Sequence, residues 1–198
     1  MRPFLRTAMG RDLFLDRPDA VCIEDIAAHL ARINRFNGAT WEPYSVAQHS
    51  VWVAGAIGFY GGDAATQLAG LLHDAPEAYL GDLPTPVQRH IFGPCDGARA
   101  SLPSPWDTAH AVLAEAIHAM AGLTVTGEMR AVVEHMDAMA LRTEWRDLMT
   151  GPEPANFAAL PPPDGGHIRP FGNWQTACEV FLDRYRTLSA AAASEALK

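Results

Sequence analysis

Apolar residues recur at helical spacing along most of this chain and at strand spacing along almost none of it. From Ile23 to Phe36 (IEDIAAHLARINRF) they predict a helix with acidic residues in its first turn, where the helix dipole favours them, and Asn37-Gly38 ends the run. Ser45 to Phe59 is a second predicted helix, with Ser45 as its N-cap, and Gly61-Gly62 breaks the pattern after it. Asp63 caps a third helix, expected from Ala64 to about Leu80 and stopped by Gly81. The two prolines of LPTP then force an extended turn. Trp106 to Ala121, Glu128 to Met149 and Trp174 to Leu188 complete the helices, and the Ala-rich tail is expected to fray.

The exceptions are few. Two short runs between Phe4 and Leu15 flank Met9-Gly10-Arg11 and predict a hairpin whose turn the glycine supplies. Gly93 to Pro105, rich in Gly, Pro and Ser, reads as a loop. Gly151 to Pro170 holds six prolines and several glycines, which predicts an irregular excursion. The expected architecture is an all-α helical bundle with a small N-terminal β-hairpin, one domain over residues 1–198. Within it, residues 1–22 form the hairpin and loop, 23–150 the helical core, 151–171 the Pro-rich excursion and 172–198 the C-terminal helix.

Composition narrows the possibilities. A chain of 198 residues can bury a sizeable core, and 48% hydrophobic with 19% charged residues is ordinary for a soluble globular protein. A net charge of -8 argues against nucleic-acid binding through a broad basic surface, so an anionic small molecule would need a local cation. Cys22, Cys95 and Cys178 are scattered and form no CxxC pair, which fits reduced thiols and a cytoplasmic protein. No signal-peptide core and no membrane-length apolar run is present, so no membrane association is expected.

The chemistry concentrates in LLHDAPEAYLGDLPTP, residues 71–86. On a helix His73 and Asp74 sit about 100° apart and can still reach one ion placed between them. Glu77, four residues on, shares the face of His73, and Asp82 follows Gly81, where the chain can fold back over the same spot. Burying ionisable groups at the end of an apolar helix is costly unless they are paired or bound to metal, which is the argument for a cation. Two ligands are too few. His49, mid-helix among small and apolar residues, is the best third ligand, and Asp137, inside the apolar stripe Val133, Met136, Ala140, Leu141, the best fourth. His135 and Glu134 point elsewhere on that helix, and Glu144 and Asp147 with Arg142 and Arg146 read as a solvated face. Phe36, Trp41 and Tyr44 read first as core, His90, His110, His118 and His167 read as packing or surface residues, and His29, on the Ile23 to Phe36 helix, is within reach of the site but is not assigned to it.

Taken together, NRF (34–36), SVAQHS (45–50), LLHDAPEAYLGDLPTPV (71–87) and MDAM (136–139) resemble the HD-domain phosphohydrolases, and within them the 5'-deoxynucleotidase branch. The resemblance spans about Ile33 to Leu141, and GDLPTP after HDAPE is its most specific part. It implies His49, His73, Asp74 and Asp137 as ligands of one divalent transition metal, Glu77 and Asp82 as catalytic carboxylates, and Arg35 as the phosphate-binding residue. Mixed N and O ligands suit Mn, Fe, Co, Ni or Zn better than Ca or Mg. The expected activity is removal of phosphate from (deoxy)nucleoside 5'-monophosphates, and the resemblance also implies a homodimer. The alternatives are a dNTP triphosphohydrolase or pyrophosphohydrolase and a non-catalytic metal- and nucleotide-binding module. The hairpin and the 151–170 segment lie outside the resemblance.

Overall fold

The computed structural model describes residues 2–93 and 103–196, which are helical apart from one hairpin, the connecting turns and the irregular Pro-rich connection over 149–173 with its single 3-10 turn, Ala155–Ala159. Strand β1 (Leu5–Arg6) pairs antiparallel with β2 (Asp12–Leu13), with Leu5 opposite Leu13 and Arg6 opposite Asp12. Gly10 takes a left-handed φ of 77° in the turn between them. The helices are α1 (Ile23–Leu30), α2 (Val46–Phe59), α3 (Ala64–Leu72), α4 (Glu77–Leu80), α5 (Thr85–Phe92), α6 (Pro105–Met120), α7 (Gly127–Leu148) and α8 (Trp174–Glu195). The all-α class with a small N-terminal hairpin is therefore what the chain adopts. Among the described residues no helix is long and apolar enough to cross a membrane.

Local chemistry sets the helix starts. Ser45 and Gln48 form a reciprocal capping box at α2, Ser104 and Asp107 another at α6, and Asp63 accepts from the Thr66 N–H at 2.7 Å. The main core joins α1, α2, α3, α6 and α8 through Ile26, Leu30, Ala54, Leu71, Leu113 and Phe181. A second cluster, Val53, Ile57 and Ala69 with Val133, Met136 and Ala140, holds α7 against α2 and α3. Gly70 permits the close approach of α3 to α2, since a Cβ there would lie 2.4 Å from Cδ1 of Ile57. The packing brings the first turn of α2, the C-terminal end of α3 and the middle of α7 to one place.

Four boundaries differ from those predicted. The helix expected to reach Phe36 ends at Leu30, because the following backbone is drawn into pairing with residues 44–46: Arg35 N–H donates to Tyr44 O and Val46 N–H to Ile33 O. Phe36 and Asn37 both take left-handed conformations in the turn that results. The single helix expected over Ala64 to Leu80 is broken at His73–Pro76, where a proline has no N–H to donate and three-residue backbone bonds replace helical ones. The stretch after LPTP, given no helix from sequence, forms α5. The Ala-rich tail stays helical to Glu195, whose carboxylate accepts from the Ala64 N–H at the start of α3. Most of the Gly93 to Pro105 loop, and Cys95, fall outside the described residues.

Candidate metal centre

The break after α3 turns His73 and Asp74 out of the helix and toward α2 and α7. Nε2 of His73 lies 3.3 Å from Nε2 of His49. Oδ1 of Asp137 approaches the same two nitrogens at 3.8 and 3.1 Å, and the two Asp74 oxygens approach them at 3.2 and 3.4 Å. Ligand atoms bound at about 2.0–2.2 Å to one transition metal stand roughly 3.0–3.5 Å from each other, so the spacing of this donor set fits such an ion. Among the described residues, His49, His73 and Asp74 form a group whose ligand atoms all lie within 4.8 Å of one another, and Asp137 stands beside that group through its contacts with the two imidazoles.

The far nitrogen of each imidazole is already committed. Nδ1 of His73 donates to Gly70 O at 2.7 Å, and Nδ1 of His49 donates to Oε1 of Glu144 at 2.6 Å. Those bonds fix the tautomers and leave both Nε2 lone pairs aimed at the centre, where two lone pairs facing each other repel unless a cation or proton lies between them. Burial and the Arg35 charge push the His49 imidazole down, but Glu144 and Asp137 prevail and raise it to about 9. His73 is likewise raised by Asp74 and Asp137 against its burial. Burial works against the Asp137 carboxylate, yet the two imidazoles hold it well below the usual range.

Glu144 is the residue that sequence reasoning misplaced. It is fully buried rather than part of a solvated face, and it bridges His49 to Arg35, whose Nε donates to Oε2 at 3.0 Å. Asp147 is also largely buried, held by Arg146 and by the Ile168 N–H. The available signal was spacing: Glu144 lies seven residues after Asp137, two turns on the same helical face. Tyr44 is buried with its hydroxyl beside Glu144, while Trp41 is exposed and Phe36 packs edge-on against Trp145. His29 is bound elsewhere, its Nδ1 donating to Ala78 O of α4 at 2.7 Å and its Nε2 accepting from the Ala8 N–H at 3.0 Å, and it does not join the cluster.

Arg35 does reach the centre, with Nη1 3.4 Å from Asp74 and its side chain only 12% exposed. Glu77 opens α4, and its Oε2 is buried with no hydrogen-bond partner among the described residues. Burial first, then the charges of Asp74 and Asp82, push Glu77 up to about 10, and a cation between the imidazoles would oppose that shift. Burial also raises Asp82, against the pull of Arg35. A cavity of about 510 Å³ opens beside the cluster, with His73, Asp74 and Asp137 in its wall. His110, His118 and Glu134, expected on the surface or pointing elsewhere, also line it.

Fold and site thus define the class: an all-α protein with a partly buried His/Asp cluster that could hold a metal ion. Similarity to known proteins adds relatives without functional names. The chain is 45% identical over 96 residues, 46% of its own length and 49% of the relative's, to an uncharacterized protein of Rhodobacter capsulatus. It is 36% identical over 88 residues, 43% of its length and 47% of the relative's, to the uncharacterized protein YfdR of Escherichia coli. The chain spans about half the length of the curated relatives it matches. No family model matches it.

Proposed function

We propose that the protein is a metal-dependent phosphohydrolase that removes phosphate from (deoxy)nucleoside 5'-monophosphates. The observation that carries this reading is the pair of Nε2 atoms 3.3 Å apart, each with its Nδ1 already engaged, flanked by Asp74 and Asp137. His49, His73, Asp74 and Asp137 would hold the ion. When bound, such an ion supplies Lewis-acid polarisation of a phosphoryl oxygen and makes water more acidic.

The surrounding residues suit the remaining tasks. Arg35 engages Glu144 and Asp74 through Nε and Nη1, and its Nη2 has no partner among the described residues, so that edge can grip phosphate oxygens. With the ion's charge opposing the burial that favours its protonated form, Glu77, which has a free oxygen, would accept the proton of the attacking water. Asp82, raised toward the protonated form, can return a proton to the leaving ribose oxygen. Glu144 orients His49 and neutralises Arg35 at once, so one buried carboxylate ties a metal ligand to the phosphate grip.

The test is a panel of nucleoside mono-, di- and triphosphates with Mn, Co, Mg and Zn and identified products. The proposal expects orthophosphate and nucleoside from monophosphates. Tripolyphosphate from a dNTP would replace the substrate class, and nucleotide binding without turnover would support the non-catalytic module.

A further inference from the structure

The cavity beside the metal cluster continues along the helix that carries Asp137. Arg130, Val133, Glu134 and Asp137 all line it, spaced as one face of α7. Seven residues of helix separate Arg130 from Asp137, about 10 Å along the axis. That is the reach of a nucleotide from its phosphate to the far edge of its base. Helix α6 supplies the facing wall. His110 stands at the metal end, where it feels Asp74 and His73, and His118 stands at the other end, where burial and the Arg130 charge hold it below the ordinary histidine range. Between them the walls are small and aliphatic, formed by Ala69, Ala111, Ala114, Val125 and Val133. That aliphatic stretch can pack against a flat ring, while the polar groups Gln88 and Asp107 also line the cavity.

The polar groups return at the far end. Arg130 and Glu134 lie one helical turn apart, a spacing at which opposite charges commonly pair, yet neither is ion-paired or hydrogen-bonded among the described residues. A forked donor and a two-oxygen acceptor are therefore presented side by side at the solvent-exposed rim of the cavity, neither committed to a protein partner among the described residues. Arginine matches the paired acceptors O6 and N7 of guanine, and a carboxylate matches donors on the same base, its N1–H and N2 amino group. Adenine offers an amino group where guanine has O6, which the guanidinium, having no acceptor, cannot meet. Resting on the hydrolase reading for the site beside it, we infer that this slot binds the base of the substrate, and that Arg130 and Glu134 select guanine over adenine.

The experiment compares dGMP and dAMP on the metal-loaded, full-length protein by kcat/KM and, separately, by calorimetric binding. Wild type should favour dGMP by about tenfold to a hundredfold, the range of one good base-specific pair. Arg130→Gln and Glu134→Gln should each bring the dGMP-to-dAMP ratio toward one. The ratio is internal to each protein sample, so partial misfolding cannot imitate that result. A wild-type ratio near one, or a preference that survives both substitutions, overturns the inference. Guanine-selective binding without hydrolysis would sink the hydrolase reading and leave the base slot standing, whereas binding of neither nucleotide would overturn the slot itself.

Discussion

Glu144 and Glu77 are both buried carboxylates within reach of the same cluster, but their surroundings give them different roles. Glu144 spends both oxygens, one on His49 and one on Arg35. Glu144→Gln keeps the shape, loses the charge and leaves the buried Arg35 partly uncompensated, so metal affinity should fall by about 10- to 100-fold. A metal titration followed by calorimetry checks this, and an unchanged affinity would mean that Glu144 only fills space. Glu77 keeps one oxygen free, so Glu77→Gln should retain the metal and lose about 10²- to 10⁴-fold in kcat. Near-normal kcat in that variant would remove the proton-accepting role. The two residues also differed in legibility. Glu77 follows His73 in a run whose polar residues have no other reason to crowd an apolar helix end, whereas Glu144 sits among Arg142, Trp145, Arg146 and Asp147 and looks like an ordinary charged surface. Only its two-turn distance from Asp137 marked it.

Elements place these residues, and their stability has identifiable sources. The capping box of α2 lies four residues before His49, so loss of the Ser45 hydroxyl should loosen the start of the helix that carries a ligand. Ser45→Ala should cost about 1 kcal/mol of unfolding free energy, readable as a lower urea midpoint with an unchanged slope. Leu113→Ala, which empties a fully buried position linking α6 to the core, should cost about 2–5 kcal/mol. Caps, periodicity and glycine stops made the helices legible, because those signals act within a few residues. The errors arose where distant chain intervened. Ile33 to Arg35 leaves the helical path to pair with residues 44–46, and the tail after Leu188 is held by a contact between Glu195 and the start of α3. The break at His73–Pro76 is marked in the sequence by Pro76, while the helical spacing of the apolar residues runs on across it to Leu80.

At the scale of the molecule, the cluster couples folding to protons and metal. In chelated protein His49 is raised to about 9, its acidic partners outweighing burial and Arg35, so the stability from that protonated pair is complete below the ordinary histidine pKa and lost as pH rises through 9. Glu77, raised to about 10, acts in the same direction: above the ordinary carboxyl range the unfolded chain releases a proton that the folded chain keeps, and the native state is increasingly disfavoured. The chelated protein should therefore show a falling Tm between about pH 6 and pH 9 in differential scanning calorimetry. Saturating metal should flatten that fall and, at a hundredfold excess over Kd, add about 2.7 kcal/mol to the unfolding free energy. A Tm that rises with pH in chelator would contradict the buried charge arrangement. The central claim, a single catalytic ion held by His49, His73, Asp74 and Asp137, is tested most directly by titrating Mn or Co into chelated protein while recording orthophosphate release from a nucleoside monophosphate. The account predicts activity that grows linearly and saturates at one ion per chain; activity undiminished by chelation, or a fully loaded protein that releases no phosphate, would contradict it.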